Sequence, residues 1–197
     1  MDAEYVEHAA TISPEEARDL AASLLSDLTQ RRAHDLAVGE LCDRVAHAAK
    51  LDERTLATAV AAAYLHDVGY AAPLKQTGFH PLDGARYVRS RGWDVTARLV
   101  AHHSQAQLQA DILGLSLAEF LPVGGILQDL VDYADLRAGP DGTLVSVDER
   151  LRGIATRHDP SSAPALALDR RRPLVEALVR RIEDRCGGDP LGIDEPR

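Results

Sequence analysis

Residues 31–50 read RRAHDLAVGELCDRVAHAAK, and Ala37, Val38, Leu41, Val45 and Ala48 recur at helical spacing. At about 100° per residue, His34 falls at the centre of that apolar face. A histidine there is buried, and it needs a partner for its polar ring atoms. His47 lies on the opposite face of the same helix and is assigned to solvent. This stretch therefore predicts a long helix with one polar side chain aimed into the core.

Reading outward, the same period returns. Ser13-Pro14-Glu15-Glu16 is a helix start with the residues of a capping box, and a helix to about Leu28 follows. A third, alanine-rich helix is expected from Glu53 to Val68, closed by Gly69 as its C-terminal cap. Tyr70 to Phe79 reads as a loop punctuated by Pro73 and Gly78. Further helices are predicted from Pro81 to Gly92, after a cap at Asp94 to Gln105, over Ser116–Phe120, and over Gly124–Leu136. Gly139-Pro140-Asp141-Gly142 is a turn. Ser146–Arg157 and Pro173–Arg185 complete the helices, ahead of a tail from Gly187. No stretch alternates as a half-buried strand would, and no repeat is visible. Apolar residues are 45% of the chain and aromatics only 4%, which suits close-packed helices better than sheets. The expected fold is all-α, one compact helical bundle in 197 residues.

The formal charge is −9, which argues against a nucleic-acid polymer as partner, because such binding needs clustered Lys and Arg. The runs Arg170–Arg172 and Arg180–Arg181 sit among carboxylates and read as solvated helix faces. A small phosphorylated ligand requires only a few local cations and is compatible with the net charge. Cys42 and Cys186 lack metal-ligand spacing and read as reduced structural thiols of a cytoplasmic protein. Asp2 and Glu4 replace the basic start of a secretion signal. The longest apolar run, Ala59 to Leu65, falls far short of the roughly 20 residues of a membrane span. No membrane partner is expected, and the oligomeric state is left open.

Helical phase also sorts the remaining polar candidates. His66-Asp67 closes the third helix, where a buried carboxylate meets the negative end of the helix dipole and needs a cation. A divalent metal would serve, and so would a simple His–Asp hydrogen bond. His80 precedes Pro81 at a helix corner. His103 shares the face of Val95, Leu99 and Val100, with His102 about a quarter-turn away. Of Asp129, Asp132 and Asp135, the last borders the apolar face, while the other two lie towards the polar side. Imidazole and carboxylate ligands of this kind suit Mn²⁺, Fe²⁺, Mg²⁺, Zn²⁺ or Ni²⁺.

The ordered set His34, His66-Asp67 and Asp135, with the segments AAAYLHDVGY, TGFHPLDGARYVRSRG and LVAHHS, resembles the HD superfamily of metal-dependent phosphohydrolases. The resemblance covers about residues 31–157 as an HD domain, flanked by a helix in 1–30 and by a helix and tail in 158–197. It implies two metal ions, with His34, His66 and Asp135 on one, His80 and His103 on the other, and Asp67 bridging. His102 is a secondary ligand candidate. It further implies hydrolysis of a nucleotide or other small phosphate ester by metal-activated water, with His66 and Asp67 as catalytic residues. Where many members carry HD-x-G-K, this chain has HDVGY, so Tyr70 replaces a phosphate-contacting lysine. Lys75, Arg86 and Arg137 are the candidate substitutes for substrate binding. Two other readings share the ligand set: a di-iron oxygenase, and a non-catalytic nucleotide-binding module. His8 and His158 fall outside the pattern and read as surface residues.

Overall fold

A computed structural model describes residues 10–193; the acidic start, His8 and the last four residues of the expected tail lie outside the described residues. The helices are α1 (Pro14–Leu24), α2 (Thr29–Ala48), α3 (Glu53–Leu65), α4 (His80–Ser90), α5 (Asp94–His102), α6 (Ala106–Leu113), α7 (Gly125–Arg137), α8 (Val147–Arg157), α9 (Ala163–Leu166) and α10 (Leu168–Cys186). Short 3₁₀ turns occupy Val68–Tyr70, Ala72–Leu74 and His103–Gln105. Among the described residues no strand forms, and one isolated bridge pairs Ala138 with Leu144. The fold is all-α.

Local chemistry starts several of these helices. Ser13 accepts from the Glu16 amide at 3.2 Å, and the Glu16 carboxylate accepts from the Ser13 amide at 3.2 Å. Ser146 and Glu149 repeat the same reciprocal cap on α8. Asp52 caps α3 by accepting from the Thr55 amide at 3.0 Å. Each such cap contributes about 1 kcal/mol to the helix it starts.

The centre of the bundle is α3. Every residue from Thr58 to Leu65 is buried, and the helix is enclosed by α1, α2, α5 and α7. A helix buried on all sides needs small side chains if four neighbours are to approach it, which is why its centre is alanine-rich. Its C-terminal end is therefore held deep inside the molecule, and that end carries His66-Asp67.

Gly69 acts by close approach. A Cβ there would stand 2.1 Å from the His80 carbonyl oxygen and 2.6 Å from the Gly84 amide nitrogen. The turn after α3 thus lies directly on the backbone of α4. Because the colliding atoms are backbone, they cannot rotate away. Gly69→Ala is expected to destabilise the fold by about 3 kcal/mol, in the upper range of overpacking, and to displace His80. A thermal melt within a degree of wild type would show that the contact has slack.

Several predicted elements differ. Helix α3 ends at Leu65 with His66 as its C-cap, and Gly69 lies in the 3₁₀ turn that follows, so it is not the cap. Helix α5 stops at His102, short of Gln105, where Ser104 and Gln105 turn left-handed. Ser116–Phe120 is a turn, not a helix: Leu117 and Phe120 are both buried, and the Phe120 amide donates to the Leu117 carbonyl at 2.8 Å. Apolar residues three apart anchor a single turn as well as a helix. Asp94 is the first residue of α5, and Trp93 occupies the cap position. Helix α10 begins at Leu168 and runs through Pro173. Pro173 removes one backbone bond, yet Ala167 and Arg171 upstream are buried, so packing sustains the extra turn. Helices α6 and α9, absent from the expected elements, span only 8 and 4 residues. No described helix is long and apolar enough to cross a membrane.

Candidate metal centre

Four histidines and two aspartates from separate elements meet at the end of α3. His34 rises from α2, and its Nδ1–H donates to the Gly139 carbonyl at 3.0 Å. His66 caps α3, and its Nδ1–H donates to the Ala63 carbonyl at 2.8 Å. His103 follows α5, and its Nδ1–H donates to the Val100 carbonyl at 2.7 Å. A carbonyl can only accept, so each ring is a donor at Nδ1 and, when neutral, presents a bare lone pair at Nε2. Burial lowers the His66 pKa to about 4, which keeps that ring neutral at physiological pH.

The loop ahead of α4 positions the fourth ring. Asp83 accepts from the amides of Gln76, Thr77 and Gly78 at 2.9–3.2 Å, and this clasp fixes the chain just before His80. His80 Nε2 lies 3.0 Å from Asp67 Oδ1 and 3.3 Å from His103 Nε2. Tyr70 stacks on the His80 ring at 4.1 Å, and the Arg31 guanidinium covers Tyr70 at 4.1 Å.

Two groups of ligand atoms result, His34–His66–Asp135 and His66–Asp67–His103, with the atoms of each group within 4.8 Å of one another. They share His66. His80 stands beside the second group through its contacts with Asp67 and His103. Burial alone would raise both carboxylates, but the charges around them hold them well below the usual range: His66, Arg31 and His80 around Asp67, Arg150 and His34 around Asp135. Burial depresses His80, whereas the Asp67 hydrogen bond and charge outweigh burial at His103 and raise it.

The residues fit a metal ion. His66 Nε2 is fully buried without a hydrogen-bond partner, an expensive condition for a lone pair with three carboxylates, Asp35, Asp67 and Asp135, within 4.0 Å. His34 Nε2 faces Asp135 Oδ1 at 3.0 Å, acceptor against acceptor, and only a cation or a proton makes that approach favourable. Arg150 supplies positive charge there, donating to Asp135 at 2.8 Å with His34 Nε2 at 3.3 Å. Arg31 plays the matching part beside Asp67. The nitrogen and oxygen donors suit Mn, Fe, Mg, Ni or Zn.

Strain marks the same place. Ser104 and Gln105 adopt left-handed φ values of 52° and 53°, which cost non-glycine residues about 1–3 kcal/mol each. They are held by Asp132, which accepts from the Ser104 amide at 2.8 Å and from the Gln105 amide group at 2.7 Å, and by Asp135, which accepts from the Ser104 hydroxyl. Asp132 is thus buried, with its pKa pushed up to about 6 by burial, contrary to its expected place on the polar side. Asp129 is half-buried beneath the exposed Arg181, with which it pairs at 2.7 Å.

Several expected residues lie elsewhere. The His102 Nε2–H donates to the Phe120 carbonyl at 2.6 Å and turns away from the centre. Lys75 is exposed, Arg86 pairs with Glu119 at 2.6 Å, and Arg137 is fully buried against Asp189 at 2.7 Å. None of the three lines the cavity above the cluster, whose volume is about 160 Å³. The cations that do line it are Arg31, Arg150, Arg157 and Arg171, with His158 exposed at the rim. Asp35, absent from the expected ligands, is fully buried with neither oxygen hydrogen-bonded, and Oδ1 lies 3.9 Å from His66 Nε2. Burial and the neighbouring Asp67 push its pKa well above the usual carboxylate range. A signal existed: Asp35, Val38, Cys42 and Ala46 form a second buried stripe at helical spacing on α2. No protein-family model, curated protein or solved structure matches this chain.

Proposed function

We propose that the chain is a metal-dependent phosphohydrolase acting on a nucleotide or another small phosphate ester. The observation that carries this reading is the pairing of bare imidazole nitrogens and buried carboxylates with a cavity walled by guanidinium groups. A divalent metal held by such donors supplies Lewis acidity towards a phosphoryl oxygen and a water that ionises near neutral pH.

The remaining work belongs to the chain's own residues. Asp67 belongs to the second group, with Oδ1 3.0 Å from His80 and Oδ2 3.6 Å from His66, the residue the two groups share, and would help hold a metal there. Arg31 and Arg150 each pair with one of the two carboxylates and also line the cavity. From there a planar guanidinium can take phosphoryl oxygens bidentately and stabilise charge as it develops. They answer the question raised by Tyr70, whose ring stacks instead of carrying a charge. A cavity of about 160 Å³ matches one that holds a benzene-sized group, so it admits the phosphoryl end and leaves the rest of the substrate outside.

The test is phosphate release from p-nitrophenyl phosphate and a nucleotide panel, run with Mn²⁺, Mg²⁺, Ni²⁺ or Zn²⁺ and anaerobically with Fe²⁺. Metal-dependent release is expected, and Arg150→Ala should lower kcat/KM about 10²-fold, the effect of losing one charge-stabilising donor. Metal-loaded protein that releases no phosphate from any of these substrates would overturn the proposal. Uptake of O₂ by the iron form would then point to oxygenase chemistry.

A further inference from the structure

We infer that Arg157, His158 and Arg171 form a second anion subsite beside the metal cavity, so that the substrate carries two phosphoryl groups, as a diphosphate or bisphosphate does. The inference rests on the phosphohydrolase reading for the identity of the first anion.

Arg171 is the strongest observation. It projects from α10 into the cavity lining and is only 6% exposed. Its Nε–H donates to the Gln105 side chain at 3.0 Å, a neutral partner. The nearest carboxylates are already engaged. Asp135 accepts from Arg150 and Ser104, and Asp132 accepts from the Ser104 amide, Gln105 and Gln128. A buried guanidinium without a carboxylate partner is costly, and an anion entering the cavity offsets that cost.

Arg157 and His158 extend the cationic surface to the rim. Among the described residues, neither they nor Arg171 have an ion-pair partner. Burial, then Arg150 and Arg31, disfavour the charge on Arg157; burial, then Arg157, disfavour it on His158. Like charges gathered at one mouth destabilise one another until an anion joins them. A guanidinium in the last turn of a helix is ordinarily explained by the helix dipole, and that accounts for Arg157 alone. It does not explain a buried Arg171 from another helix at the same cavity.

The test compares two probes by calorimetry on Mn²⁺-loaded protein: orthophosphate, and methylenediphosphonate as an uncleavable diphosphate. Wild type is expected to prefer the diphosphonate. Arg157→Ala, at an exposed site that leaves the fold intact, should weaken diphosphonate binding about tenfold, the size of one charge-assisted contact. Orthophosphate affinity should move less than twofold. Arg171→Met should act the same way and more strongly. A diphosphonate preference that survives Arg157→Ala unchanged overturns the subsite, as does equal affinity of wild type for both probes. Failure of the hydrolase reading looks different: the preference and its loss in Arg157→Ala persist, while no phosphate is released from any substrate.

Discussion

Asp67→Ala is expected to strip the protein of metal. Asp67 Oδ1 lies 3.0 Å from His80 and 3.6 Å from His103, Oδ2 lies 3.6 Å from His66, and Arg31 pairs with it. Asp67 thus meets three of the cluster's imidazoles, where Asp135 meets two. Removing even an outer partner of a metal ligand costs about 10–100-fold in affinity, so loss of this carboxylate should cost at least about 10²-fold. Elemental analysis of anaerobically purified protein should find near-stoichiometric transition metal in wild type and little in the variant. Two equivalents in wild type would assign one ion to each histidine–aspartate group. His102→Ala is the control: its ring is committed to the Phe120 carbonyl, so metal content should be unchanged. Full metal retention by Asp67→Ala would remove it from the site.

Arg137→Met is expected to produce the largest loss of stability and little change in substrate binding. The Arg137 side chain is fully buried, and it donates to Asp189 at 2.7 Å. Asp189 also accepts from the Tyr133 hydroxyl at 3.1 Å and from the amides of Leu191 and Ile193 at 2.8 and 2.7 Å. The arginine therefore neutralises a carboxylate that ties the chain after α10 to α7. Breaking a buried pair from one side leaves the other charge uncompensated and costs about 3–5 kcal/mol. Denaturant unfolding should show that loss, and Arg137→Met with Asp189→Asn should recover part of it, since the amide keeps an acceptor for the backbone. A raised KM at wild-type stability would instead make Arg137 a substrate contact.

Lys75, Arg86 and Arg137, the candidate substitutes for a phosphate-contacting lysine, stand outside the cavity, and the reason is physical. A cation's role depends on what it faces across the fold, and chain position carries no record of that. Arg150 and Arg157 sit on α8 and Arg171 on α10, yet all three reach a cavity floored by residues of α2, α7 and the turn after α3. Nothing within its own helix marks Arg31, because its partner Asp67 lies 36 positions away. Asp132 and Asp135 share α7, and phase alone set them on different faces. The left-handed turn at Ser104 and Gln105 brings the backbone down onto Asp132, so both are buried.

What was legible beforehand was whatever a single helix decides by itself. The apolar period around His34 and the caps at Ser13 and Ser146 depend on neighbours within one or two turns, and a helix of about 3.6 residues per turn presents them without help. His103 is different: it stands just past the end of α5, ahead of the left-handed turn at Ser104 and Gln105, so helical phase alone does not set its direction. The convergence of four imidazoles, the orphaned Nε2 of His66, the burial of Asp35 and the arginine wall arise only when the ends of separate helices are packed together. Helical phase determines which way a side chain points, and tertiary packing determines what stands opposite it. The chemistry of this site lies in that second relation.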